Sequence, residues 1–281
     1  MKRILVTGAT GQLGSELKVL SENYSQYEWV FADRTKITLD QIELLKKQIN
    51  EINPDVIFNC GAYTAVDKAE SEKDLAFTIN HLAVEIIAKY AFENKAKLIH
   101  ISTDYVFDGT SSIALNEEAE TNPINVYGAS KLAGEVSCLN ENSDSIIIRT
   151  SWVYSKFGNN FVKTMQRLMQ ERDSINVVND QIGSPTYAAD LAQAMISIIE
   201  SSNWVPGIYN YSNEGEISWY DFALSIKELG KYECIVGGIP SSSYPTPAKR
   251  PEFSLLDKKK IKETYKLSIS DYKESLKAMF K

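Results

Sequence analysis

The segment Ile4-Leu5-Val6-Thr7-Gly8-Ala9-Thr10-Gly11-Gln12-Leu13-Gly14-Ser15-Glu16-Leu17-Lys18-Val19-Leu20 passes from a short apolar, β-rich run through three evenly spaced glycines into a helical pattern. Strand, glycine loop and helix in that order are the context that makes such a loop a dinucleotide site. The glycines let the backbone turn tightly and approach a pyrophosphate, which rests on amide groups at the start of the helix. The spacing is GxxGxxG. Gly8, Thr10, Gly11, Gln12, Leu13 and Gly14 are therefore candidates to hold a cofactor.

Working outward, Tyr27–Ala32 reads as a second strand, and Asp33-Arg34 end it. An acid about 20 residues past the glycine loop commonly takes the ribose hydroxyls of NAD, and a neighbouring arginine can accommodate the 2′-phosphate of NADP. With both present, the cofactor is NADPH or NADH. Ile42–Ile52 reads as an amphipathic helix stopped by Asn53-Pro54, Asp55–Cys60 as a strand, Asp74–Asn94 as a long helix and Ala96–Thr103 as a further strand. This alternation predicts an α/β fold with a Rossmann-type, doubly wound parallel sheet. Ligands in such sheets sit beyond the carboxyl ends of the strands, here Gly8-Ala9-Thr10, Asp33-Arg34, Gly61-Ala62-Tyr63-Thr64 and Ser102-Thr103-Asp104-Tyr105.

Beyond the buried strand Ser145–Thr150 the pattern loosens. Helices are expected over Asn160–Arg172, Tyr187–Ser201 and Ser218–Leu229, the last capped by Ser218. Short strands are expected over Ile175–Val178 and Gly207–Tyr211. A proline-rich connection, Pro240–Pro251, leads to a charged helical tail. The expected division is a cofactor-binding Rossmann domain over residues 1–155, with a returning segment near 185–202, and a smaller, mixed, mainly substrate-binding C-terminal domain over 156–281.

A second motif is Tyr127-Gly128-Ala129-Ser130-Lys131. Tyrosine and lysine four residues apart share one helix face. An ammonium beside a phenol favours the phenolate and lowers its pKa, which suits proton exchange with a substrate oxygen.

Composition narrows the classes. The chain has 281 residues and a net charge of -7, which argues against a general nucleic-acid binder. Cys60, Cys138 and Cys234 are scattered and odd in number, and only His81 and His100 are present. Neither a disulfide framework nor a metal site is expected. The N-terminus reaches its glycines too soon for a signal peptide, and no apolar run approaches the roughly 20 residues of a membrane span. A cytoplasmic location is expected.

Taken together, the chain resembles the extended short-chain dehydrogenase/reductases and, within them, the dTDP-4-dehydrorhamnose reductase family. The stretches that carry the resemblance are Gly61–Glu70, Ser102–Gly109, Arg149–Tyr154, Asn160–Met165, Asp180–Thr186 and Tyr244–Pro251. The resemblance implies NAD(P)H-dependent reduction of a dTDP-4-keto sugar as the last step in making an activated rhamnose. It implies Tyr127 as proton donor, Lys131 as the group that tunes it and bonds the nicotinamide ribose, and Thr103 as the donor that polarises the keto oxygen. Ala62, Tyr63 and Thr64 would line the cofactor loop, Asn80 would buttress the site, and Lys163 and Arg250 would meet the substrate pyrophosphate. Asp104 either bonds a sugar hydroxyl or caps its loop. Tyr105 and Trp152 offer flat faces for sugar or base, with core packing the alternative for Trp152.

Relatives often carry an Asp-Ile or Asp-Leu pair against the adenine. Here the region reads Ile37-Thr38-Leu39-Asp40, and Leu39 is the candidate. Some relatives are homodimers bridged by magnesium through glutamates. Glu16 stands near one such place, no required metal is expected, and a homodimer stays open. The competing readings are another nucleotide-sugar 4-keto reductase or epimerase, and a non-catalytic NADP-binding subunit like the regulatory β subunit of methionine adenosyltransferase.

Overall fold

The structure is a computed structural model describing residues 1–281. Its centre is one six-stranded sheet built from β1 (Lys2–Thr7), β2 (Tyr27–Ala32), β3 (Val56–Asn59), β4 (Lys97–Thr103), β5 (Ile146–Thr150) and β6 (Gly207–Tyr211), in the order β6-β5-β4-β3-β1-β2. Every pairing is parallel. The strand order reverses between β1 and β3, which opens a crevice at the carboxyl ends of those two strands.

Alternation along the strands explains why both faces are covered. Ile4, Val6, Val56, Phe58, Ile99, Ile146 and Ile148 point to one face and pack on α1 (Gln12–Leu20) and α6 (Ala188–Glu200). Leu5, Ile57, Leu98 and Ile147 point to the other and pack on α2 (Ile42–Ile52) and α3 (Ala83–Glu93). A period of two with both sets apolar is the signature of a strand buried on both sides.

The continuous helical stretch Lys73–Glu93 departs from expectation. At 21 residues it is long and apolar enough for a membrane span by length and composition. In the fold it is a core element, because Ala83, Val84, Ile87, Ala88 and Ala91 are buried beneath the sheet. Its midpoint widens into a π-helical turn over Thr78–Leu82.

The second region is mixed and smaller. α5 (Phe161–Glu171) and α7 (Trp219–Gly230) pack around a separate core that includes Tyr154, Val162, Met165, Phe222 and Leu276. Ser218 caps α7 with a reciprocal pair: its hydroxyl accepts from the Asp221 amide and the Asp221 carboxylate accepts from the Ser218 amide. Ile235–Ile239 pairs in parallel with Ser174–Val178. The pattern gave no sign of the first of these, since Gly237-Gly238 removes the side chains by which a strand is read.

Candidate active site

The crevice between β1 and β3 is tight because two glycines face each other. Gly8 has φ +64°, and a Cβ there would lie 2.7 Å from the backbone of Gly61. A Cβ on Gly14 would collide with the Gly8 carbonyl and with Ala9. The Gly11 amide donates to the Gly8 carbonyl at 2.9 Å, closing the turn. No side chain caps α1 and no acid occupies its first turn, so its leading amides face the crevice with the positive end of the helix dipole. These residues fit a dinucleotide pyrophosphate.

The loop after β3 is held by Thr7 and Asn80. Thr7 Oγ1 donates to Asn59 Oδ1 at 2.7 Å and accepts from the Gly61 amide at 3.0 Å. Asn80, in the π-helical turn, accepts from the Tyr63 amide at 2.9 Å and donates to the Tyr63 carbonyl and to Ser130 Oγ, each at 3.0 Å. Asn80 thus ties the Ala62-Tyr63-Thr64 loop to α4 (Val126–Glu141), the helix that carries Tyr127 and Lys131. The Tyr63 hydroxyl donates to Glu72 at 2.6 Å, which pushes its pKa up to about 12. Leu39 lies against Gly61, 2.6 Å from where a Cβ would stand.

At the end of β2, Asp33 accepts from the amide and the hydroxyl of Thr35, at 2.9 and 2.6 Å. Those bonds hold its carboxyl below the usual range. Arg34 stays exposed. One oxygen of the acid is therefore spent on its own turn, while the guanidinium projects into solvent.

Thr103 ends β4. Its hydroxyl donates to Asp104 Oδ1 at 3.1 Å and accepts from the Tyr105 amide at 3.2 Å. Asn125 caps α4 by accepting from the Gly128 amide at 2.7 Å, and it donates to the Lys249 carbonyl at 2.7 Å. A Cβ on Gly128 would run into the Tyr105 carbonyl, so only glycine lets the helix seat this closely. Seated there, the Tyr127 ring meets that of Tyr105 edge-on, with centroids 5.6 Å apart.

The electrostatics correct one expectation. Burial pushes the Tyr127 hydroxyl up to about 12, the Asp104 carboxylate adds to the rise, and a hydrogen bond with Thr103 opposes it. The depression expected from the lysine is not seen: burial dominates at Tyr127, and the Lys131 ammonium donates to the Ile101 carbonyl at 2.6 Å. Lys131 is buried, and burial lowers its pKa to about 8. Asp104 is also buried, which raises its carboxyl to about 6 against the hydrogen bond from Thr103.

The remaining candidates fall into two groups. Arg250 is engaged by Asp67 through both terminal nitrogens, at 3.1 and 2.8 Å, and also donates to Thr246 Oγ1 and the Ala248 carbonyl. Lys163, in the first turn of α5, donates to the Gly158 carbonyl at 3.0 Å. Beside it, Asn160 caps α5 and donates to Gln12 Oε1 at 2.9 Å, while Gln12 reaches the Val153 carbonyl at 3.3 Å. The side chain of Gln12 thus bridges the glycine loop to the second region. Trp152 is half-buried, adopts φ +48° and stacks on Trp219 with ring centroids 3.7 Å apart. Glu16 points inward and accepts from Ser155 Oγ at 2.6 Å.

Sequence reasoning missed a buried network behind the site. Glu135 on α4 accepts from Ser102 Oγ and from Arg149 of β5, whose Nε and terminal nitrogen approach at 2.9 and 2.7 Å. The signal was available: an arginine closes the apolar run Ile146-Ile147-Ile148, and an acid follows Lys131 by one helical turn. Ser102 satisfies this carboxylate, which leaves Thr103 as the strand-end hydroxyl nearest Tyr127.

Comparison with known proteins places this geometry. The family model described as "RmlD substrate binding domain" matches residues 1–281. A crystal structure of a dTDP-4-dehydrorhamnose reductase from Clostridium acetobutylicum superposes with a TM-score of 0.94 at 38% identity, covering 99% of this chain and 98% of that one. The reductase from Bacillus anthracis, solved in complex with NADP, also gives 0.94, at 39% identity and the same coverage. The curated dTDP-4-dehydrorhamnose reductase of Aggregatibacter actinomycetemcomitans is 40% identical over 287 residues, which is 99% of this chain and 98% of the relative. The chain belongs to the dTDP-4-dehydrorhamnose reductase family.

Proposed function

We infer that this chain reduces the 4-keto group of dTDP-4-dehydro-L-rhamnose to dTDP-L-rhamnose with NADPH or NADH, the last step of dTDP-rhamnose synthesis. The observation that carries the reading is likeness to curated reductases along the whole chain, joined to one crevice that gathers the glycine loop, Thr103, Tyr127 and Lys131. The bound nicotinamide supplies the hydride. Tyr127 gives its proton to the oxygen at C4. Its raised pKa suits a donor, because the hydroxyl stays protonated across the working pH range and an alkoxide is a far stronger base than a phenolate. The Thr103 hydroxyl, turned from Asp104 Oδ1, donates to the same oxygen and polarises it. Lys131, anchored on Ile101, bonds the nicotinamide ribose.

We assign Gly8, Thr10, Gly11, Gln12, Leu13 and Gly14 to the pyrophosphate of the cofactor, Leu39 to the adenine, and Ala62, Tyr63 and Thr64 to the facing wall. Asp104, Tyr105 and Trp152 take the sugar. Lys163 is the stronger candidate for the substrate pyrophosphate, since its ammonium holds a single carbonyl while Arg250 is already held twice by Asp67. The sugar nucleotide is the partner this site takes. The free thiols of Cys60, Cys138 and Cys234 support a reducing, cytoplasmic setting.

The test is loss of reduced-nicotinamide absorbance when the purified chain meets fresh dTDP-4-dehydrorhamnose and NADPH, with dTDP-L-rhamnose as the product. NADPH binding without consumption overturns the reading in favour of a binding subunit. The turn around Asp33 makes a further expectation. With the acid engaged by Thr35 and Arg34 free, Arg34 reads the 2′-phosphate. Arg34→Ala then raises KM for NADPH about ten-fold, the loss of one charge-assisted contact, and leaves KM for NADH unchanged. Equal shifts for both cofactors exclude that role.

A further inference from the structure

We propose that Glu135 is a positioning residue of the reductase: through Ser102 and Arg149 it fixes the helix of Tyr127 and Lys131 against the strand that ends in Thr103, and its negative charge supports the Lys131 ammonium. The inference rests on the reductase reading above.

The geometry is a three-way clamp. Glu135 belongs to α4, Ser102 to β4 and Arg149 to β5, and one buried carboxylate accepts from both partners. Ser102 immediately precedes Thr103, and Glu135 follows Lys131 by one helical turn. Arg149 is held in turn by the face of the Phe107 ring, 5.2 Å from its guanidinium carbon. All three side chains are nearly inaccessible. A fully buried ion pair gives little net stability against apolar residues of the same shape, because desolvation offsets its Coulomb attraction. Its effect here is to fix a register: helix, strand and neighbouring strand meet at one charged point beside the reacting groups.

The charge matters because Lys131 is buried and its ammonium donates only to a neutral carbonyl, that of Ile101. The titratable groups around it are few. Glu135 shares its helix and favours the ammonium, while Cys138 on the same helix and Cys60 at the end of β3 are buried thiols that burial keeps protonated and neutral. From β4, His100 is fully buried, accepts at Nδ1 from Asn59, and is kept neutral by burial and by the lysine itself. Glu135 is the largest favourable influence among them. Burial lowers the Lys131 pKa to about 8, well below that of Tyr127, which makes Lys131 the group whose proton is expected to set the alkaline limb of the rate.

The experiment is the pH profile of kcat in Glu135→Gln with saturating NADPH. Glutamine keeps the shape and an acceptor for Ser102 but not the charge. The expected result is an alkaline limb moved down by about one pH unit, seen as a loss that approaches about ten-fold on the descending limb above the wild-type midpoint, with little change on the acid side. If the single variant does not fold because Arg149 is left unpaired, Glu135→Gln with Arg149→Gln is compared with Arg149→Gln alone, and the same downward shift between those two limbs isolates the Glu135 charge. A limb that coincides with the wild type overturns the inference, whatever the change in Tm. An inactive wild type overturns the reductase reading instead. The pH dependence of NADPH affinity then decides, with the same downward shift expected in the variant and its absence overturning the role of Glu135.

Discussion

Tyr127→Phe lowers kcat by about a hundred- to ten-thousand-fold, the range spanned by a positioned general acid, and leaves the dissociation constant for NADPH within about two-fold. The ring of Phe fits the same place, edge-on to Tyr105, and the α4 clamp through Asn125 and Gly128 is untouched. What is lost is the hydroxyl, with its proton and its hydrogen bond with Thr103. Single-turnover kinetics with the keto sugar, alongside a fluorescence titration of NADPH, separate the two quantities. A variant with near-wild-type turnover shows that Tyr127 does not give the proton, and Asp104, buried and raised to about 6, becomes the group to test.

The second large effect is at the glycine loop. Gly8→Ala places a methyl group 2.7 Å from the Gly61 backbone and forces an L-residue to φ +64°. The left-handed conformation costs about 1–2 kcal/mol and overpacking about 1–3 kcal/mol. The sum falls on the crevice, where the β1 and β3 loops must part to accept the methyl. NADPH affinity drops by at least about thirty-fold on this arithmetic, together with a lower Tm. Calorimetric titration measures the first and thermal unfolding the second. Retention of wild-type affinity excludes Gly8 from the pyrophosphate cradle.

Much of the fold was legible because the strands are buried on both faces and read as unbroken apolar runs. Tyr27–Ala32 and Ile42–Ile52 begin and end where alternation and helical spacing place them. The site was legible where a motif dictates backbone geometry, as at Gly8 and Gly14. It was less legible where the decisive contact comes from elsewhere in the chain. Lys131 was expected beside a phenol, yet the ammonium finds the Ile101 carbonyl 30 residues upstream. Arg250 was expected to be free for phosphate, yet Asp67 takes it across 183 residues of sequence. Asn125 caps α4 and also reaches the Lys249 carbonyl, a contact that lies far off in sequence. Spacing reports which residues share a face, not what that face meets.

The sixth strand of the sheet has a consequence for how the chain comes to be folded. β6 lies against β5, and α6 covers the same sheet face as α1, yet both come from beyond residue 187. A ribosome that has released the chain only through β5 has therefore exposed a bare strand edge and half of an unroofed apolar floor, Phe58 and Ile99 among it. Such a nascent chain must wait, or be sheltered, until the later segment threads back to finish the layer. Cutting the gene between the two regions does not yield two independent modules, and chimeras that exchange the substrate half between relatives must carry α6 and β6 along with the half they complete.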